Sequence, residues 1–281
     1  MTVAEALRKG VETLRAAGIE EAEIDAAILL QAMTGIERAH ALAFPEEVLP
    51  EEKRPGYEEA LKRRADREPA AYITGEREFM GLPFRVRRGV LIPRDDTETL
   101  VEEVMLHLQD GMRILDLCTG SGCIALSLLH YSNDTTALGT DLSPEAVICA
   151  EENAGSLGLK ERYRAVRTDL FPEERGERYD LIVSNPPYIM ADVIDTLMPE
   201  VRDHEPRMAL DGGADGLTYY RRIIGGAPEW LRSDGWLFTE IGYDQGEAVA
   251  DLFENAGFHE TAVIKDLGGR DRVVKGCYYH V

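Results

Sequence analysis

No apolar run in the chain approaches the ~20 residues that a membrane-spanning helix needs. The first thirty residues carry charges throughout (Glu5, Arg8, Lys9, Glu12, Arg15), where a secretory leader would have an apolar core. Both absences predict a soluble protein, cytoplasmic by default. Cysteine is scarce: Cys118, Cys123, Cys149 and Cys277 form no C-x-x-C pair and have no histidine at zinc spacing. They read as reduced, mostly buried thiols, and the six scattered histidines suggest no metal site. Basic residues are a minority, 31 Lys and Arg against 52 Asp and Glu, for a net charge of −21. A surface that acidic repels phosphate backbones and argues against unaided tight binding to DNA or RNA. It keeps the chain soluble and would attract a basic protein partner.

What is present is an ordinary folded composition, 281 residues with 44% hydrophobic and 30% charged. That length holds one large domain or two modest ones. From Thr2 to about Arg67 the pattern is helical, with Ala, Leu and Ile at helical spacing over Val3–Ala17, Ile24–Met33 and Tyr57–Arg67. The stretch Phe79-Met80-Gly81-Leu82-Pro83-Phe84-Arg85-Val86 reads as two short strands about a Gly/Pro turn. From about Thr97 strands and helices alternate. Strands are expected at Arg113–Leu117, Ala137–Asp141, Tyr163–Arg167, Asp180–Ser184, Trp236–Ile241, Thr261–Lys265 and Arg272–Tyr279, with helices such as Cys123–His130, Ser143–Ala154 and Gln245–Ala256 between them. The alternation predicts an α/β fold, a parallel sheet with helices on both faces. Domain limits are expected at residues 1–70 (helical), 71–95 (hairpin linker) and 96–281 (α/β).

Two stretches carry chemistry. Ile114-Leu115-Asp116-Leu117 runs into Cys118-Thr119-Gly120-Ser121-Gly122, and an apolar helix starts at once. A glycine turn between strand and helix lets a ligand approach the backbone beside the helix N-terminus. The next strand ends in Asp141, placed to accept hydrogen bonds from a ribose. Gly120-x-Gly122-x-x-Ala125 also satisfies the dinucleotide fingerprint, so this motif alone names a nucleoside-like ligand and no reaction.

The second stretch is Asn185-Pro186-Pro187-Tyr188, which follows the strand Leu181-Ile182-Val183-Ser184. Consecutive prolines fix φ and remove two N–H donors. The carbonyls of Asn185 and Pro186 and the Asn185 side-chain oxygen are then fixed acceptors. Such acceptors suit an amide or aromatic NH₂, whose delocalised lone pair makes it a poor nucleophile. Gripping its hydrogens orients the nitrogen at a sulfonium methyl and stabilises the charge that develops, while Tyr188 offers a flat face for stacking. A nicotinamide enzyme would have no use for these acceptors, so the two stretches together point to an S-adenosylmethionine-dependent methyltransferase.

With these residues in view, the chain resembles the HemK-type release-factor glutamine methyltransferases. The match runs through Ala71-Tyr-Ile-Thr-Gly-Glu, Gly89-Val-Leu-Ile-Pro-Arg, Asp116–Gly122, Asp141-Leu-Ser-Pro-Glu and Val183-Ser-Asn-Pro-Pro-Tyr-Ile. It continues in Glu205-Pro-Arg, Leu210-Asp-Gly-Gly, Asp215-Gly-Leu-Thr-Tyr-Tyr-Arg, Glu240-Ile-Gly-Tyr-Asp-Gln-Gly and Gly269-Arg-Asp-Arg. Asn-Pro-Pro-Tyr alone is shared with adenine-N6 DNA methyltransferases; the wider set is not. The resemblance implies a helical substrate-recruiting domain and a Rossmann-like seven-stranded methyltransferase sheet whose last strand is antiparallel. It implies cofactor contacts at Cys118, Thr119, Gly120, Ser121, Gly122, Asp141, Asp169, Leu170 and Asn185. The acceptor it implies is the glutamine of the Gly-Gly-Gln loop of peptide chain release factors, a protein partner, with a glutamine on a ribosomal protein as the rival. Three residues depart from the family pattern: Cys118 where glycine is frequent, Leu170 where some members have an aromatic, and Asp95 where a second proline is usual.

Overall fold

A computed structural model describes residues 1–174 and 176–280. Its contacts divide the chain into two units, residues 1–76 with 198–204, and residues 77–197 with 205 onward.

The first unit is helical: α1 (Val3–Ala16), α2 (Ala22–Thr34), α3 (Arg38–Ala43), α4 (Arg54–Ala65) and α5 (Ala70–Thr74). A capping box starts α1, where the Thr2 hydroxyl accepts from the Glu5 amide at 3.2 Å and the Glu5 carboxylate accepts from the Thr2 amide at 2.8 Å. Val3, Ala6, Gly10 and Leu14 make its buried stripe. Gly10 is glycine because α4 comes so close: a Cβ there would lie 2.2 Å from the Tyr57 hydroxyl. Arg64 of α4 donates to Asp25 of α2 at 2.7 Å and to Glu200 at 3.1 Å, so a short turn from far along the chain joins this unit. Three helices lie within a few residues of the sequence expectation. The short α3 and α5 were not expected, since five or six residues are too few to display a period.

The second unit opens with a hairpin, β1 (Glu76–Phe79) and β2 (Leu82–Arg85). Its turn is Met80-Gly81, both with positive φ (52° and 70°), the mirror-image turn that matches strand twist. Pro83 lies inside β2, on its exposed face, and is not part of the turn. The main sheet follows: β3 (Arg113–Leu117), β4 (Thr136–Asp141), β5 (Tyr163–Arg167), β6 (Tyr179–Ser184), β7 (Leu231–Glu240), β8 (His259–Lys265) and β9 (Asp271–Tyr278). Their order is β5-β4-β3-β6-β7-β9-β8, with only β9 antiparallel to its neighbours. Ile114, Leu115, Asp116 and Leu117 are all buried, as a central strand covered on both faces requires. The helix expected from Ser143 begins at Pro144, with the Ser143 hydroxyl as its cap, 3.3 Å from the Ala146 amide.

The chain winds outward from β3 in one direction and from β6 in the other, so the switch point falls between these strands. Leu117 is register partner to Ser184, and the Ser184 hydroxyl donates to the Leu117 carbonyl at 2.8 Å. Cys118 and Asn185 therefore leave the sheet side by side. Among the described residues no helix is long and apolar enough to cross a membrane.

Candidate active site

A cavity opens at this switch point. Cys118, Thr119, Gly120, Ser121, Asp141, Asp169, Leu170, Asn185 and Pro187 line it. Gly122, Pro186 and Tyr188 do not. Gly122 has a packing role instead, since a Cβ there would meet Leu126 at 2.9 Å and Ala150 at 3.2 Å. At Gly120 (φ +57°) a Cβ would meet nothing within 4 Å. The missing side chain leaves open space on the cavity wall, a cradle that fits a ligand lying against backbone.

The glycine turn is held mostly by nearby chain. The Gly120 and Ser143 amides donate to the two oxygens of Asp141, each at 2.9 Å. The Thr119 amide donates to the Thr140 carbonyl at 2.9 Å, and its hydroxyl to Asp116 at 2.6 Å. Asn153, fully buried, donates to the Ser121 carbonyl at 2.9 Å. Burial pushes the Asp141 carboxyl above the usual range while the Ser143 and Gly120 amides oppose it. Burial likewise pushes Asp116 up to about 7. Cys118 has φ +59° and Leu170 φ +67°. A side chain in that region costs about 1 kcal/mol or more, a physical reason for the glycine that resembling enzymes often carry in place of Cys118. The Asp169 carboxylate pairs with Arg222 at 2.9 Å, and Leu170 is 5% exposed.

The Asn-Pro-Pro-Tyr turn is held from farther away. The Asn185 Nδ2 donates to the Thr97 hydroxyl at 3.2 Å. The Tyr188 carbonyl accepts from Gln245 at 3.1 Å. Ile189 exchanges backbone hydrogen bonds with the Leu210–Gly212 loop, its amide to the Leu210 carbonyl at 2.9 Å and its carbonyl to the Gly212 amide at 2.8 Å. Gly212 admits this approach only because it has no side chain: a Cβ would sit 2.7 Å from the Tyr188 Cα. Tyr188 is half-buried, and burial holds its phenol well above the usual range. The loop 89–94 with Pro206, Met208 and Ala209 lines the cavity too, with Arg94 paired to buried Glu205 at 2.5 Å.

Residue-level reasoning missed Thr97, Gln245 and Gly212 as supports. Only the stretches that carry the family resemblance, Leu210-Asp-Gly-Gly and Glu240-Ile-Gly-Tyr-Asp-Gln-Gly, marked two of their neighbourhoods.

The switch-point cavity, the glycine turn closed by an acid-ended second strand and the Asn-Pro-Pro-Tyr turn define a methyltransferase of the S-adenosylmethionine-dependent class. Residues 5–75 match the family model described as the PrmC N-terminal domain, and residues 95–200 match the methyltransferase small domain. The release factor glutamine methyltransferase of Cereibacter sphaeroides is 47% identical over 274 residues, covering 98% of both chains. That of Caulobacter vibrioides is 43% identical, covering 98% of this chain and 96% of its own. The chain belongs to the release factor glutamine methyltransferase family. A ribosomal protein L11 methylase structure from Lactobacillus delbrueckii subsp. bulgaricus shares the fold, with TM-score 0.51 and 20% identity over 70% of this chain and 86% of that one.

Proposed function

We propose that the protein transfers a methyl group from S-adenosylmethionine to the side-chain amide nitrogen of the glutamine in the Gly-Gly-Gln loop of peptide chain release factors. The observation that carries this reading is the pairing of Leu117 with Ser184, which sets the glycine turn and Asn185 at one cavity. When bound, S-adenosylmethionine supplies an electrophilic methyl group. Gly120 gives room against the backbone, and Asp141 accepts from ribose hydroxyls with the lone pairs that the Gly120 and Ser143 amides leave unused. Cys118, Thr119, Ser121, Asp169 and Leu170 complete that wall. The Oδ1 and carbonyl oxygens of Asn185, which lines the cavity, grip the hydrogens of the acceptor amide. They orient its nitrogen and stabilise the charge that develops there. Pro186 and Pro187 keep the turn rigid. No strong base is required, because the proton can leave after transfer.

The helical unit serves as the substrate-recruiting domain in this reading. A loop on a large partner gains from remote docking, which supplies effective concentration at the catalytic turn. The reaction then takes place in the cytoplasm, where translation is terminated. The test is genetic and chemical. In cells without this gene, mass spectrometry should find the release-factor glutamine bare. Wild-type protein should restore the methyl group and Asn185→Ala should not. A fully methylated release factor in the deletion strain would overturn the proposal.

A further inference from the structure

A turn that contains Pro186 and Pro187 cannot be held by the amides of those residues, because neither proline has an N–H. Their rings fix φ, so the hold on the chain passes to the peptide between Tyr188 and Ile189, where it leaves the turn. Both groups of that peptide are engaged. The Ile189 amide donates to the Leu210 carbonyl at 2.9 Å. The Tyr188 carbonyl accepts from Nε2 of Gln245, 57 residues farther along, at 3.1 Å. Half-buried Gln245 is the N-cap residue of the helix Gly246–Asn255. The orientation of its amide is forced. Oε1 accepts from the Gly242 amide at 2.9 Å, a group that only donates. Nε2 then faces the carbonyls of Tyr188 and Gly216, at 3.1 and 3.4 Å, which only accept. The buried Tyr220 hydroxyl lies 3.3 Å from Oε1 and 3.0 Å from the Glu240 carbonyl.

The clamp closes only because side chains are missing around it. A Cβ at Gly216 would lie 2.5 Å from the Tyr188 oxygen and 2.6 Å from Gln245 Nε2. One at Gly242 would lie 2.9 Å from Gln245 Oε1. One amide thus ties the exit of the Asn-Pro-Pro-Tyr turn to the loop at Gly216 and to the chain leaving β7. Between Tyr188 and Asn185 the backbone passes two ring-fixed φ angles. A shift of the exit peptide is therefore passed back to Asn185 rather than absorbed. Resting on the proposed role of Asn185, we infer that Gln245 is a positioning residue that clamps the exit of the turn and so holds the Asn185 oxygens where the acceptor amide is gripped.

The test is a double-mutant cycle on the full-length enzyme with intact release factor, read as single-turnover methyl transfer beside calorimetry of S-adenosylmethionine binding. Gln245→Glu is nearly isosteric but sets a carboxylate against two carbonyls. At neutral pH it should lower the transfer rate about tenfold, the scale of lost alignment, with cofactor affinity within about twofold. As pH falls the new carboxyl takes up a proton, regains a donor and should recover most of the rate relative to wild type. Its place beside two carbonyls favours the protonated form. Gln245→Met never donates and should show no such recovery. In an Asn185→Ala background either substitution should cost far less, because the side chain it positions is gone. An equal loss in both backgrounds would overturn the proposal, as would a Gln245→Met enzyme with full rate. So would a Gln245→Glu rate that follows Gln245→Met at every pH, or a loss confined to cofactor affinity. An Asn185→Ala enzyme with wild-type rate would instead sink the underlying role of Asn185, a distinct result. Should Gln245→Glu fail to fold, Gln245→Met carries the cycle, and additive losses there refute the proposal.

Discussion

The wall of the cavity formed by Cys118–Ser121 and Asp141 is held mainly within about forty residues of chain: Asp116, Thr140, Asp141 and Asn153 supply the hydrogen bonds. The wall formed by Asn185 and its neighbours draws on Thr97, 88 residues earlier, and on Leu210, Gly212 and Gln245 later in the chain. The first is one strand–turn–helix unit, the part to which the proposed function assigns the cofactor. The second is a rigid turn braced from several loops, as a site needs when a fraction of an ångström decides the rate. Cofactor binding and turnover should therefore respond to different residues.

The largest effect that sharpens this contrast is on Asn185. Asn185→Ala should cut kcat by about 10²–10³, the range for losing one preorganised polar partner, while thermal stability changes little. Steady-state kinetics and a melting curve check it, and a mutant with most of its kcat would erase the division. Next comes Asp141→Ala, which should weaken S-adenosylmethionine binding by about 1.5–3 kcal/mol, the worth of a charge-assisted hydrogen bond. Calorimetry measures it directly, and unchanged affinity would remove Asp141 from the cofactor wall. Smaller again, Gly212→Ala forces a Cβ to within 2.7 Å of the Tyr188 Cα. Overpacking of this kind should cost about 1–3 kcal/mol of stability. It should lower kcat and leave cofactor affinity alone; a loss of affinity instead would mean the two walls are not independent.

The smallest effect is in pH. Burial pushes Glu240 up to about 7 against the opposing pull of Thr97, Arg272 and Arg94, with Asp96 adding to the rise. A carboxyl raised in the folded state binds its proton more tightly there than in the unfolded chain. Its contribution is therefore present at low pH and lost as pH rises through the folded value. The melting temperature of Glu240→Gln relative to wild type should climb between about pH 5 and pH 8, and a flat difference would argue against the raised carboxyl.

The same contrast explains how much the sequence disclosed. The seven strands of the main sheet, the glycine turn, Asp141 and the Asn-Pro-Pro-Tyr turn were legible because each is a local pattern: an apolar strand, a breaker, an acid at the next strand's end. Thr97 and Gly212 were not, because a threonine or glycine becomes a support only when the fold brings a partner to it from far along the chain. Met198–His204 joins the helical unit through Arg64 and Glu200 for the same long-range reason. The helix Thr218–Gly226 buries Tyr220, Ile223 and Ile224 at helical spacing, but it is short and closes on two glycines, poor helix formers, which hides it in the sequence.

The central claim is that the acceptor is a release-factor glutamine presented to Asn185. It is tested most directly with purified enzyme, labelled S-adenosylmethionine, intact release factor and a mixture of ribosomal proteins in one reaction, followed by peptide mass spectrometry. The account predicts one methyl group on the side-chain amide of the Gly-Gly-Gln glutamine, absent with Asn185→Ala, and far slower labelling of a short Gly-Gly-Gln peptide. Label on a ribosomal protein, with the release-factor glutamine bare, would contradict it.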